Sequence, residues 1–212
     1  MSDALGRYAA LDRYTLGVVE EREQYYTRLL AKSALSMGDC RFLEIGAGHG
    51  FNVHYFLEKG VKEENCTLIE PDSDRFESLK KTFPKAVIEE ARFGDSRVEG
   101  GFDVILISLV LSSILDHEIQ EQVLSRALTM LEPQGHLIIY EFRYDNPKNK
   151  NVKGVSPNLI KRVLKGGHKF QQWSVSLAPP IGRRVGKAYK PINYLFPFLR
   201  THFIMDVSND NS

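Results

Sequence analysis

Cys40-Arg-Phe-Leu-Glu-Ile-Gly-Ala-Gly-His-Gly-Phe-Asn52 is the stretch from which the rest of the chain can be read. Arg41 to Ile45 is a short, mostly apolar run that stops at glycine, the pattern of a buried parallel strand. Gly46, Gly48 and Gly50 then alternate with Ala47 and His49, so the backbone is free to take positive φ and to approach a ligand closely. Phe51 to Lys59 has helical character and stops at Gly60, a C-cap residue. A strand, a glycine turn and a helix N-terminus form a nucleotide-binding corner.

The spacing narrows the choice of nucleotide. The dinucleotide fingerprint G-x-G-x-x-G has its third glycine one place later than the G-x-G-x-G found here. Glu44, two positions before the first glycine, would repel a pyrophosphate and suits a cationic ligand, such as one bearing an ammonium and a sulfonium.

The chain of 212 residues, 42% hydrophobic and 26% charged, is long enough for one α/β domain with a sizeable core. No apolar run reaches the ~20 residues that span a bilayer. The N-terminus has no basic segment followed by an apolar core, so no secretory signal is apparent. Cys40 and Cys66 both open expected strands and read as reduced core residues, and no metal-ligand spacing is present. A cytoplasmic protein is the expectation. Charge is unevenly divided. Residues 1–145 hold 16 Lys/Arg and 25 Asp/Glu, a net of −9, whereas residues 146–205 hold 12 Lys/Arg and no acid.

Leu11 to Ala34 interleaves Leu16, Val19, Tyr25, Leu29 and Leu30 with Glu20, Glu21, Glu23 and Arg28, an amphipathic helix with Thr15 as N-cap. Cys66 to Glu70 is a second strand. It ends in an acid, where nucleoside-binding α/β folds accept hydrogen bonds from ribose hydroxyls. Asp72 or Ser73 caps a helix through Lys81, and Lys85 to Glu89 is a weak third strand. Phe102 to Ser108 is nearly continuous in apolar residues, as a central parallel strand is. Leu109 to Leu115 prolongs that run, and Asp116 caps a helix from His117 to Leu131. Leu131-Glu-Pro-Gln-Gly turns into a fifth strand, His136 to Glu141. Ser156 and Pro157 start another helix through Lys165, and Lys169 to Ser176 is a strand. Pro179 to Pro197 reads as a long loop, Arg200 to Val207 as a short last strand, and Ser208 to Ser212 as a frayed tail. With no repeat or linker, residues 1–212 are expected to form one domain: a helical cap (1–35), a cofactor-binding half (40–145) and an acceptor-side half (146–212).

In order, the Glu-Ile-Gly-Ala-Gly-His-Gly turn, the acid at Glu70, Gly94-Asp95, the Phe102-Asp103 strand and Leu131-Glu-Pro-Gln-Gly-His resemble the class I S-adenosylmethionine-dependent methyltransferases of the small-molecule kind. The resemblance spans Phe42 to Glu141. More loosely, Asn146 through Leu199-Arg-Thr-His resembles a bacterial subgroup of that class. The resemblance implies an α/β, Rossmann-like three-layer sandwich with a seven-stranded, mostly parallel sheet in the order 3-2-1-4-5-7-6, the last strand antiparallel. It implies S-adenosylmethionine as cofactor and S-adenosylhomocysteine as product. Glu44 would lie near the methionine ammonium, with Gly46, Ala47 and Gly48 along the methionine and ribose and Gly50 permitting close helix packing. Glu70 and Pro71 would meet the ribose, Asp95 and Ser96 the adenine, and the Ser108 carbonyl the ammonium.

The acceptor is less defined. Ile107-Ser-Leu-Val lacks the [D/N]-P-P-[Y/F] that exocyclic-amine methyltransferases carry after the fourth strand, which disfavours nucleic-acid adenine and protein glutamine. No cysteine follows that strand to serve as a nucleophile for cytosine C5. Ser112-Ser113 stands where many relatives have a His-His pair. Methyl transfer from a sulfonium needs alignment, plus a base if the nucleophile is a hydroxyl. His117 and Tyr144 are the candidate catalytic residues, with His49 a further candidate base. Arg143, Asp145 and Asn146 at the end of the fifth strand face the substrate edge. Arg183 and Arg184, with Lys148, Lys150, Lys153 and Lys187, offer cations to an anionic acceptor, a small molecule or a phosphate-bearing glycan. No DNA- or RNA-reading module is recognisable. The alternatives are a nicotinamide-dependent oxidoreductase, disfavoured by the glycine spacing, and a non-catalytic cofactor-binding or partner subunit, since fold does not fix function.

Overall fold

Side chains alternate between the two faces of a strand, so a strand covered on both sides must be apolar at nearly every position. β1 (Phe42–Ile45) and β4 (Phe102–Ser108) meet that demand and lie side by side at the centre of the sheet. The computed structural model describes residues 8, 11–33, 35–145, 149–164 and 167–209. Its other strands are β2 (Cys66–Ile69), β3 (Val87–Glu89), β5 (Leu131–Phe142), β6 (His168–Leu177) and β7 (Arg200–Asn209). They form one seven-stranded sheet in the order β3-β2-β1-β4-β5-β7-β6, with β7 antiparallel to both its neighbours and every other pairing parallel. This is the expected Rossmann-like architecture.

The helices are α1 (Arg13–Leu30), α2 (Phe51–Glu58), α3 (Ser73–Thr82), α4 (His117–Thr129), α5 (Pro157–Val163), α6 (Pro179–Val185) and α7 (Tyr189–Leu195). On one face of the sheet Leu43, Ile45, Ile105, Ile107, Ile139 and Phe203 pack with Val123 and Leu124 of α4 and Leu159 and Ile160 of α5. On the other, Phe42, Val104, Leu106, Ile138 and Ile204 pack with Tyr26 and Leu29 of α1, Val53 and Phe56 of α2 and Leu79 of α3. Each such fully buried apolar side chain stabilises the fold by ~1.5–3 kcal/mol. The same alternation assigns the polar residues at the strand ends. Glu44 shares the face of Phe42, Ser108 that of Leu106, Tyr140 that of Ile138 and His202 that of Ile204, so all four belong to the α1 face at the carboxyl edge of the parallel strands.

Four segments differ from their sequence reading. α4 stops at Thr129, and β5 starts at Leu131, where the turn Leu131-Glu-Pro-Gln-Gly is expected, because Leu131 already pairs with Phe102 of β4. The N-cap of α1 is Asp12, which accepts from the amides of Tyr14 and Thr15 at 2.9 and 3.1 Å, while the Thr15 hydroxyl donates back to it at 2.7 Å. The expected loop from Pro179 is two short helices, α6 and α7. Pro179 and Pro180 occupy the first turn of α6, where their fixed φ favours a helix, and a Cβ at Gly182 would run into the Tyr14 ring on which α6 lies. β7 extends two residues past Val207, because Ser208 and Asn209 pair with Lys169 and His168.

Candidate active site

β1 feeds into three glycines in left-handed backbone, with φ of 70°, 58° and 75° at Gly46, Gly48 and Gly50. The amides of Gly46 and Ala47 donate to the Ile69 carbonyl at 2.8 and 3.1 Å, which clamps the turn to β2. A Cβ on Gly46 would sit 2.5 Å from Val110 Cγ2, and one on Gly50 would strike the Phe83 ring, whereas one on Gly48 would meet nothing within 4 Å. Gly46 and Gly50 therefore serve packing, and Gly48 leaves open space above the backbone. His49 beside it is exposed.

Glu70 directly follows β2 and is buried. Its Oε2 accepts from the Gly48 amide at 2.7 Å and its Oε1 from the Asp72 amide at 3.1 Å, with Arg75 Nη1 at 3.8 Å. The carboxylate is thus fixed against the glycine turn and keeps lone pairs for further donors. A cleft of about 770 Å³ extends from Gly46 past Pro71 and Asp95, walled by Ile45, Ile69, Phe93, Val110 and Ile114. Apolar walls with a carboxylate at the side suit a planar base with an exocyclic amine. The turn carrying Asp95 is held by Arg126 of α4, which donates to the carbonyls of Phe93, Gly94, Ser96 and Val98 and lies 4.7 Å over the Phe93 ring. Ser96 is buried, its hydroxyl donating to Glu89 Oε2 at 2.6 Å, so it props this turn and does not wall the cleft.

The other end of the corner is charged. Glu44 Oε1 accepts from Asn52 Nδ2 at 2.6 Å, while Oε2 is buried without a partner. Burial pushes this carboxyl up to about 8, against the opposing pulls of the Asn52 bond and the Arg22 charge. Arg22 sits on the buried stripe of α1 with Val19, Tyr26 and Leu29. It is 7% exposed and lies over the rings of Tyr26 and Tyr140 at 5.9 and 5.2 Å. It makes no hydrogen bond or ion pair with any described residue, and its Nε is fully buried. The Tyr26 hydroxyl is likewise buried and unpartnered. A buried guanidinium without a counter-ion is costly, and an anion beside it would offset that cost.

Beside Arg22, the Tyr140 hydroxyl shares a 3.1 Å hydrogen bond with Ser176 Oγ. Burial pushes this phenol up to about 12. His202 stacks on Tyr140 at 5.3 Å with 7° between the rings. Burial, reinforced by the Arg22 charge, pushes the imidazole down to about 4, so it is neutral at pH 7.

A family model described as a methyltransferase domain matches residues 18–181. The chain belongs to this methyltransferase-domain family. Its fold is shared with a S-adenosylmethionine-dependent methyltransferase from Clostridium acetobutylicum (11% identity, TM-score 0.64, 98% of each chain covered). It is also shared with a SAM-dependent methyltransferase from Archaeoglobus fulgidus (15% identity, TM-score 0.59, covering 89% of this chain and 92% of that one). A third similar structure is the Burkholderia thailandensis 1,6-didemethyltoxoflavin-N1-methyltransferase, solved with 1,6-didemethyltoxoflavin and S-adenosylhomocysteine bound (16% identity, TM-score 0.58, covering 99% of this chain and 83% of that one). No curated protein matches the sequence.

In this methyltransferase the residues singled out on the acceptor side do not converge. His117 is exposed at the start of α4, with Nδ1 3.1 Å from Gln120 Oε1 and Nε2 3.3 Å from Lys153 Nζ, so both ring nitrogens are engaged. Tyr144 is 58% exposed, and Asp145 accepts from the Gly154 amide at 2.8 Å. Arg143 turns inward, donating to Ser174 Oγ at 3.0 Å, with its Nε buried and unpartnered. Asn146 and Lys148 lie outside the described residues. Arg183 covers the Tyr14 ring at 5.8 Å, and Arg184 is exposed on the same helix. Ser108 ends β4 opposite Tyr140. Sequence reasoning passed over Arg22, Tyr140, His202 and Arg126. The signal for Arg22 was present, a cation at an apolar-stripe position of an amphipathic helix.

Proposed function

We propose that this methyltransferase transfers a methyl group from S-adenosylmethionine to a small-molecule or glycan-like acceptor, and that Arg22 and Glu44 hold the amino-acid end of the cofactor. One observation carries the reading. A guanidinium and a carboxyl are buried close enough for the Arg22 charge to act on Glu44, and each has an unpartnered polar atom, Arg22 Nε and Glu44 Oε2. The carboxylate and ammonium of a methionine moiety would satisfy both. Adenine is assigned to the cleft beside Asp95 and Pro71, ribose to Glu70, and the methionine chain to Gly46, Ala47, Gly48 and Ser108. The Burkholderia relative with bound S-adenosylhomocysteine supports the same choice of cofactor.

When bound, this cofactor supplies an electrophilic methyl on a sulfonium, which an in-line nucleophile takes while the sulfur leaves as a thioether. The acceptor is assigned to the carboxyl edge of β4, β5 and β7, where Tyr140 and His202 stack. Residues 40–145 would then serve mainly the cofactor, joined by Arg22 from α1, and 146–212 mainly the acceptor, joined by Tyr140 from β5. His202 is neutral, and with its Nδ1 3.1 Å from Thr201 Oγ1 it keeps Nε2 to accept a hydrogen bond from a hydroxyl acceptor, whereas both ring nitrogens of His117 are engaged.

The test is calorimetry with S-adenosylhomocysteine and, separately, NADH. The native protein is expected to bind the first and not the second. Arg22→Ala removes a charge-assisted contact and weakens binding by ~1.5–3 kcal/mol, about tenfold or more. Native affinity in that variant would remove Arg22 from the site, and binding of NADH alone would overturn the reading altogether.

A further inference from the structure

The densest exposed apolar surface lies at the end of α7. Among the described residues, four of the ten large exposed hydrophobics fall within five positions: Tyr194 (80% exposed), Leu195 (64%), Phe196 (42%) and Phe198 (77%). A fold normally scatters such residues, and a contiguous cluster marks a surface that meets something. This exposure is not fraying. The inner side of α7 is pinned, with Tyr189 and Asn193 buried and donating to Glu21 at 3.0 and 2.6 Å. Arg200 closes the other end, donating to the side-chain and main-chain oxygens of Asn193 at 3.0 and 2.8 Å. The aromatic side chains are presented outward by a helix and a 3-10 turn, Pro197–Leu199, that are both anchored.

The charge beside this tip identifies its occupant. Residues 146–205 contain 12 Lys/Arg and no acid. Some of these cations pair with the acidic half: Lys190 with Glu20 at 2.8 Å and Arg162 with Glu121 at 3.3 Å. Arg184 and Lys187, on α6 and the turn that follows it, are exposed and make no ion pair among the described residues. Arg183, also exposed, lies over the Tyr14 ring. Exposed aromatics flanked by unpaired cations fit the surface of an anionic bilayer, where rings sit at headgroup level and basic residues meet lipid phosphates. A second copy of the chain fits poorly, since a two-fold contact through this patch would face the same cations with each other.

We propose that Tyr194, Leu195, Phe196 and Phe198, with Arg183, Arg184 and Lys187, dock the protein on the surface of an anionic lipid bilayer. β7 starts at Arg200, directly after the patch, and reaches His202 two residues later, while Glu21, which anchors α7, adjoins Arg22. The docking surface and the assigned acceptor edge thus lie on neighbouring elements, an arrangement suited to an acceptor carried by a lipid. That last link rests on the methyl-transfer reading above, whereas the docking itself does not.

The experiment is co-sedimentation of the full chain with vesicles of phosphatidylcholine alone and of phosphatidylcholine mixed equally with phosphatidylglycerol. The expected result is binding to the mixed vesicles only, weakened by added salt. Tyr194→Ser/Phe198→Ser is expected to reduce that binding about tenfold, as is Arg183→Ser/Arg184→Ser. The exposed aromatic pair should leave the melting temperature and S-adenosylhomocysteine affinity unchanged, which separates a failure of docking from a failure of the cofactor reading. Absence of sedimentation with mixed vesicles, or sedimentation unaffected by the aromatic variant, overturns the proposal. Light scattering that shows a dimer dissolved by the aromatic variant assigns the patch to a self-interface and overturns it as well.

Discussion

The two halves of the carboxyl edge are held together by contacts of very different reach. Around the glycine turn, Glu70 binds the amides of Asp72 and Gly48, 2 and 22 residues away, and Asp72 caps the next helix through Arg75, 3 residues on. Around α7, Glu21 accepts from Ser176, Tyr189 and Asn193, which are 155, 168 and 172 residues distant. The first region is specified by a nearly continuous motif and completes itself locally. The second exists only once the last third of the chain has closed on α1.

The largest expected effect tests the local half. Gly50 has φ of 75° and no room for a Cβ beside Phe83, so Gly50→Ala combines left-handed strain with overpacking and destabilises by about 4 kcal/mol. Gly48, at φ 58° with open space above it, incurs only the strain, about 1–2 kcal/mol, and its alanine variant should lose ligand affinity more than stability. Denaturant melts and S-adenosylhomocysteine titrations of the two variants measure both effects. Equal destabilisation would erase the distinction between a packing glycine and a ligand-facing one.

The next effect tests the long-range half. Glu21→Ala leaves the Ser176 amide, the Tyr189 hydroxyl and the Asn193 amide without their acceptor, at about 3 kcal/mol in total for these partly buried groups. Hydrogen exchange should show the loss concentrated in α6, α7 and the end of β6, with β1 and β2 still protected. Uniform loss of protection across the sheet would mean that the two halves unfold as one unit.

This difference in reach also decides what was legible beforehand. The central sheet was legible because β1 and β4 are apolar on both faces, and the glycine turn because its strand, turn and helix are contiguous. Glu44 is placed on the α1 face by its two-residue offset from Phe42 alone. Arg22 was obscured because a cation inside an apolar stripe reads as a break in the pattern, and its aromatic neighbour Tyr140 comes from another element. The prolines from Pro179 onward read as loop, although Pro179 and Pro180 start a helix whose bare Gly182 packs on Tyr14, a contact no local pattern reveals. His202 gains its neutral, stacked state from the pairing of β7 with β5, which only the closed sheet defines.

The smallest effect concerns the charged end of the local half. In the empty site burial holds the Glu44 carboxyl at about 8, with Asn52 and Arg22 pulling it down and Glu70 pushing it up. A ligand ammonium beside it requires the ionised form, so binding must expel a proton at any pH below about 8. Affinity for S-adenosylhomocysteine should therefore rise with pH and level off above that point. From about pH 6.5 to 7.5 the ionised fraction grows about eightfold, equivalent to ~1.2 kcal/mol. Calorimetry in buffers of different ionisation enthalpy should register the released proton directly. In Glu44→Gln both the slope and the proton should vanish, with weaker binding throughout. Glu141 is another buried carboxyl near this edge, pushed up to about 7 by its burial, and its Oε1 accepts from the Ser112 amide at 3.3 Å. A slope that survives in Glu44→Gln and disappears in Glu141→Gln would move the titrating group to the opposite face of the sheet. In that case Arg22 would be left as the sole charged contact to the amino-acid end of the ligand.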